Sequence, residues 1–156
     1  MPGVGLRNVV LATDGSVYAE AAARCVAAKS LLRDDFKVHV VHCMPELSGE
    51  VRRLVGRESI ADWIADEGER AMHATVAILE DAHIPVEKHV LVGFAPERIV
   101  ALARDLQAAA IVLGTHGRGA FLDAVIGSVA GRVLAHAPCP VLLVKGPPVA
   151  QARSTS

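Results

Sequence analysis

Asn8-Val9-Val10-Leu11-Ala12-Thr13-Asp14-Gly15-Ser16 decides the fold. It is a short apolar run with little alternation, the pattern of a strand covered on both faces of a parallel sheet. Asp14-Gly15 is a turn signal, and Ser16 stands where a helix cap belongs. Downstream, Ala19, Ala22, Ala23, Val26 and Ser30 recur at helical spacing to about Arg33. A strand followed directly by a helix is half of a β-α-β unit, and the rest of the chain repeats the scheme.

A second strand runs from Val38 to Met44 and stops at Pro45. Residues 45–57, polar and interrupted by Gly49 and Gly56, read as an irregular, mobile surface connection. Ile60, Ile64, Ala71, Thr75, Ile78 and Leu79 lean to one side of a helix over about 58–82, which Gly68 weakens locally. Pro85 to Val92 alternates as a less buried strand. Pro96 sits in a first helical turn ahead of the stripe Ile99, Leu102, Ala103 and Leu106. Ala109 to Leu113 is a fourth strand ending at Gly114. Ser128 to Ala137 is a helix stopped by Pro138, Val141 to Val144 is the last strand, and a polar tail covers 147–156. The order β-α-β-α-β-α-β-α-β specifies one doubly wound α/β domain over 1–146, with an open parallel sheet of five strands and helices on both faces. Ligands of such sheets bind beyond the carboxyl ends of the strands, where the winding reverses. That singles out the turn after the first strand and the loop after the fourth.

Composition narrows the function classes. The chain has 156 residues, 52% hydrophobic and 21% charged, so it has ample material for one core. A net charge of −1 and 3% aromatics give no basis for nucleic-acid binding or for attraction to an anionic membrane. No apolar stretch approaches the ~18 residues that cross a bilayer, and the first residues do not resemble a signal peptide. Cys25, Cys43 and Cys139 form no metal-type spacing and read as small apolar fillers in a reducing compartment, so the expected setting is cytoplasmic. The histidines show no i, i+4 metal pair, and Trp63 reads as core or interface packing.

The chemistry concentrates in Gly114-Thr115-His116-Gly117-Arg118-Gly119-Ala120-Phe121-Leu122-Asp123-Ala124-Val125-Ile126-Gly127-Ser128. Glycines at 114, 117, 119 and 127 permit positive φ and close backbone approach. Consecutive amides make an anion-holding concavity, and Gly127-Ser128 opens a helix whose positive end faces the same space. Arg118 adds a possible fork to phosphate oxygens. The bland alternatives are that Gly114 merely ends a strand, that Ser128 is an ordinary N-cap, and that Asp14 is a turn carboxylate. Neither a dinucleotide fingerprint nor a Walker lysine loop occurs.

Gly114, Gly117 and Gly127-Ser128 fit G-x2-G-x9-G-[ST], and with Val10 to Ser16, Val41-His42-Cys43 and Ala137 to Val144 the chain resembles the ATP-binding branch of the universal stress protein family from about Arg7 to Lys145. The resemblance implies an adenine nucleotide alpha hydrolase-like fold with strand order 3-2-1-4-5. It implies that Asp14, with Thr13 beside it, lies near the adenosine and that the main chain of Cys43 meets the adenine edge. Amides of Gly114, Gly117, Gly127, Ser128 and Val129 would hold ribose and phosphates, with His116 and Arg118 flanking them. The implied ligand is ATP, with Mg²⁺ bridging phosphates. The implied protein is a nucleotide-sensing, stress-response homodimer paired through 140–145 and read by a regulatory protein partner. The alternatives are a slow ATP hydrolase or another nucleotide-dependent enzyme on the same fold. No set of catalytic residues can be named, so binding with at most slow hydrolysis is expected. A flavodoxin-like FMN protein would want aromatic flanks that this chain lacks.

Overall fold

The computed structural model describes residues 5–29, 32, 35–116 and 126–146. Strands β1 (Arg7–Ala12), β2 (Phe36–Met44), β3 (Val86–Val92), β4 (Ala110–Gly114) and β5 (Val141–Val144) alternate with helices. The helices are α1 (Val17–Ala27), α2 (Gly49–Val55), α3 (Arg57–Asp81), α4 (Ala95–Asp105) and α5 (Ser128–His136). All four strand pairings are parallel, and the spatial order is β3-β2-β1-β4-β5. This is the expected doubly wound sheet in the expected order.

Strand alternation divides the apolar residues between two layers. Val9, Leu11, Val38, Val40 and Val112 project to one face, where Ala22, Ala23 and Val26 of α1 and Met72 and Leu79 of α3 cover them. Val10, Val41, Ile111 and Leu113 project to the other, under Ile99, Val100 and Ala103 of α4 and Ala130 and Val133 of α5. Central β1 has Val10 and Leu11 at 0% exposure, while edge strand β3 is partly exposed along its whole length. No helix among the described residues is long and apolar enough to cross a membrane.

Three local expectations change. First, the 45–57 connection contains helix α2: the Ser48 side chain accepts from the Val51 amide, Glu50 lies in the first turn, and Gly56 at φ 84° ends it. None of its residues is buried, so no apolar periodicity marked it. Second, α1 ends at Ala27, with Lys29 at φ 54°, well short of Arg33; Ser30 and Arg33 fall outside the described residues. Third, Trp63 is 41% exposed on α3, which removes it from the core. Gly68, which weakens the helix by propensity, is where α3 crosses β3: a Cβ there would lie 2.4 Å from Val90 Cγ2. Packing outweighs the loss of roughly 1 kcal/mol in helix propensity.

Candidate nucleotide site

β1 feeds α1 onto one face of the sheet, and β4 feeds α5 onto the other. The two strands are neighbours, with Leu11 opposite Val112. The winding therefore reverses beyond their carboxyl ends, the place where ligands of such sheets bind. The Thr13–Ser16 turn forms one wall and the residues around Gly114–His116 and Gly127–Val129 form the other.

The first wall is built by local hydrogen bonds. The Ser16 amide donates to Asp14 Oδ1 at 2.9 Å, and the Gly15 amide donates to Thr13 Oγ1 at 3.1 Å. These bonds need Gly15 in the left-handed region, at φ 77°. The Ser16 hydroxyl then caps α1 by accepting from the Ala19 amide at 3.3 Å. Asp14 thus does serve as a turn carboxylate, and it remains only half-buried at the crevice. Thr13 is 5% exposed, and its hydroxyl lies 3.0 Å from that of buried Thr75. Its side chain is turned toward α3, so what Thr13 presents at the strand end is main chain. The Thr13 carbonyl accepts from His42 Nδ1 at 2.9 Å. This bond ties the ends of β1 and β2 together and leaves His42 Nε2 as the other ring nitrogen.

In the second wall, the Thr115 amide donates to the Val144 carbonyl at 3.0 Å. The Gly127 amide donates to the Thr115 carbonyl at 2.6 Å, which closes the base of the intervening segment. Gly117 and Arg118 lie in that segment, outside the described residues, as do Gly119 and Asp123. Gly127 is the N-cap of α5, at φ −65° and ψ 157°, and no side chain caps the helix. Ser128 is therefore the first helical residue and not the cap, and the N-cap residue, a glycine, supplies no side-chain acceptor to the opening amides of α5. Gly114 and Gly127 do not use the positive φ that glycine permits; among the described residues the glycines that adopt it are Gly15, Gly56 and Gly93. Gly114 is required by packing: a Cβ there would lie 2.9 Å from the backbone carbon and oxygen of Tyr18.

Tyr18, which sequence reasoning passed over, joins the two walls. It lies in the first turn of α1 with its backbone against Gly114, and its ring centroid is 5.5 Å from that of His116. Thr115 Oγ1 lies 3.0 Å from His116 Nδ1. As the chain's single tyrosine next to a turn, Tyr18 was the only available signal. Val17, Ile126 and Val129 leave 55%, 41% and 37% of their surface exposed near the two helix starts. These are apolar positions beside polar amides, the mixture that small-molecule sites combine.

Cys43 is the penultimate residue of β2, with its side chain packed against the α4-side core. Burial pushes its thiol up to about 11, only partly countered by the Arg98 guanidinium. Burial likewise raises the Cys139 thiol. At pH 8 a thiol titrating near 11 is thiolate about one part in a thousand, against roughly a quarter for an ordinary cysteine. Iodoacetamide at pH 8 is therefore expected to label Cys43 more than about 100-fold more slowly than free glutathione, as read by peptide mass spectrometry. Equal labelling rates would show that the side chain is not held as described. A separate cleft of about 240 Å³, lined by Phe94, Val100, Arg132 and their neighbours, includes none of the residues expected to bind nucleotide.

Comparison with known proteins agrees with this architecture. The model of the universal stress protein family matches residues 5–145. Universal stress protein MJ0531 of Methanocaldococcus jannaschii is 32% identical over 143 residues, spanning 90% of this chain and 83% of that protein. Protein MJ0577 of the same organism superposes with a TM-score of 0.76 at 27% identity, covering 93% of this chain and 99% of that one. The universal stress protein of Archaeoglobus fulgidus, solved in complex with dAMP, superposes with a TM-score of 0.64 at 30% identity, covering 91% and 99%. On the sheet order, the two-faced winding and this match over nearly its whole length, the chain belongs to the universal stress protein family.

Proposed function

We propose that the protein binds an adenine nucleotide, ATP with Mg²⁺ bridging its phosphates, in the crevice between β1 and β4, and that it acts as a nucleotide-sensing regulatory homodimer. The observation that carries this reading is the start of α5. Its N-cap residue is Gly127, which brings no side chain to the opening amides, and a helix start at the reversal point favours a negatively charged group. The dAMP complex of the Archaeoglobus fulgidus relative supports the adenine part.

Each residue has a defined part in this proposal. Amides of Ser128 and Val129 meet phosphate oxygens, with Gly127 at the helix mouth, its own amide taken by the Thr115 carbonyl, assisted by the Ser128 hydroxyl and by Gly117 and Arg118 of the intervening segment. Gly114 and His116 line the ribose side, Asp14 faces the sugar, and the Thr13 and Cys43 main chains border the base. Because burial keeps the Cys43 thiol protonated, Cys43 is suited to bordering the base through its main chain and not to acting as a nucleophile. Binding would bias a surface around the 114–128 loop that a protein partner reads.

Dimerisation is proposed through β5. It is the edge of the sheet, with Val141, Leu142, Leu143 and Val144 all partly exposed, and an apolar edge strand is a pairing template. The free thiols of Cys25, Cys43 and Cys139 support a cytoplasmic setting. Amide shift mapping by NMR during ATP addition tests the placement. Shifts are expected at residues 14–16, 43, 114–116 and 127–129, and a response confined to other surfaces contradicts it. Light scattering at micromolar concentration tests the dimer, and a stable monomer contradicts that part.

A further inference from the structure

At the other end of the sheet, the parallel register of β2 and β3 places His39 opposite Glu87 and Val41 opposite His89. His39, Glu87 and His89 thereby share the face covered by α4, and each offers a ligand atom within 4.8 Å of the others. His39 Nδ1 lies 2.9 Å from His89 Nε2, and His89 Nε2 lies 3.6 Å from Glu87 Oε1. Two ligands of a tetrahedral ion with bonds of about 2.0–2.1 Å are separated by about 3.3 Å, a value that falls between these two distances. We propose that His39, Glu87 and His89 form a binding site for a divalent transition cation of the Zn²⁺ type, with water as the fourth ligand.

The groups behind the ligands favour this assignment. Asn8 Nδ2 donates to the Leu106 carbonyl at 3.0 Å, which turns Asn8 Oδ1 toward His39 Nε2, also at 3.0 Å. The reverse amide orientation would set two carbonyl oxygens against each other. His39 therefore donates from Nε2 and carries its lone pair on Nδ1, facing His89. A second partner that fixes the tautomer in this way is the usual support of a metal-bound histidine. In the metal-free pair, His89 donates Nε2–H to His39 Nδ1. To bind the cation, His89 moves that proton to its Nδ1 through solvent, so both imidazoles stay neutral and no proton is released. Glu87 is held below the ordinary carboxylate range, chiefly by its hydrogen bond to Lys37. Lys37 engages Oε2, leaving Oε1 on the histidine side. His39 is buried, His89 is half-buried and Glu87 is exposed, so the site is anchored below and open above to water and to ion entry. Two imidazoles and a carboxylate suit zinc and its neighbours better than magnesium or calcium.

The cation would clamp edge strand β3 to β2 toward the amino ends of the strands, away from the proposed nucleotide crevice beyond the carboxyl ends of β1 and β4. The test is calorimetric titration of the untagged, metal-stripped chain with Zn²⁺ alone, and with Co²⁺ followed by visible absorption. One ion per chain and an intense tetrahedral-type Co²⁺ band are expected, together with a higher melting temperature in Zn²⁺. His89→Gln and Glu87→Gln should remove these responses while circular dichroism stays unchanged. Asn8→Ala should weaken binding about 10–100-fold. In the wild-type chain, Zn²⁺ should shift the NMR signals of His39 Nδ1 and His89 Nε2, an outcome that does not depend on any variant folding. Failure to bind one equivalent, or binding that survives the Glu87→Gln/His89→Gln double variant, overturns the site.

Discussion

Gly127→Asp is expected to remove nucleotide binding while leaving the domain folded. Gly127 has φ −65° and ψ 157°, extended backbone that any residue adopts, and aspartate is among the best N-cap residues, so α5 should form at least as well. The new carboxylate would stand where the proposal places phosphate. Two unit charges about 5 Å apart at an effective dielectric of about 20 repel by about 3 kcal/mol, a loss of roughly 100-fold in affinity. Gly127→Asn supplies the matched control, since it caps equally well without the charge and should retain measurable affinity. Gly127→Asp with undiminished affinity and an unchanged melting curve would place the phosphates elsewhere.

The second large effect is on stability. A Cβ at Gly114 would lie 2.9 Å from the Tyr18 backbone carbon and oxygen, which cannot rotate away. Overpacking of this kind costs about 1–3 kcal/mol, so Gly114→Ala should lower Tm by roughly 3–9 °C for a domain of this size. Gly146 makes a useful contrast, because a Cβ there would lie 2.2 Å from Tyr18 Cδ1, an atom of the ring. Tyr18→Ala should therefore offset Gly146→Ala in a double-mutant cycle and leave the cost of Gly114→Ala in place. An unchanged Tm for Gly114→Ala would mean that α1 does not press on the end of β4 as described.

The sheet was legible because its signals are local. Each strand is a short apolar run bounded by a turn residue, as in Val9 to Asp14, and each longer helix carries its own stripe, as in Ile99 to Leu106. Helix α2 was not legible, because it buries none of its residues and so has no stripe. Its Ser48 cap was visible in the sequence but was outweighed by Gly49 and Gly56. The packing reason for Gly68 was not legible either, for a different cause. Propensity is a property of α3 alone, whereas Val90 belongs to a strand more than twenty residues downstream.

For the site, the winding rule points to the strand ends, but the packing demand on Gly114 was not legible in the sequence. Gly114 answers to Tyr18 and Gly127 needs no unusual φ. The His39–Glu87–His89 group was hidden for a plainer reason. His39 lies about fifty residues before Glu87 and His89, and only the register between β2 and β3 brings them together.

The most direct test of nucleotide sensing is calorimetric titration of the purified protein with ATP, with and without Mg²⁺. The account predicts a Kd of roughly 100 μM or tighter, about −5.5 kcal/mol, and loss of that signal in Gly127→Asp. A folded, nucleotide-free protein that shows no heat of binding with ATP under either condition would contradict it.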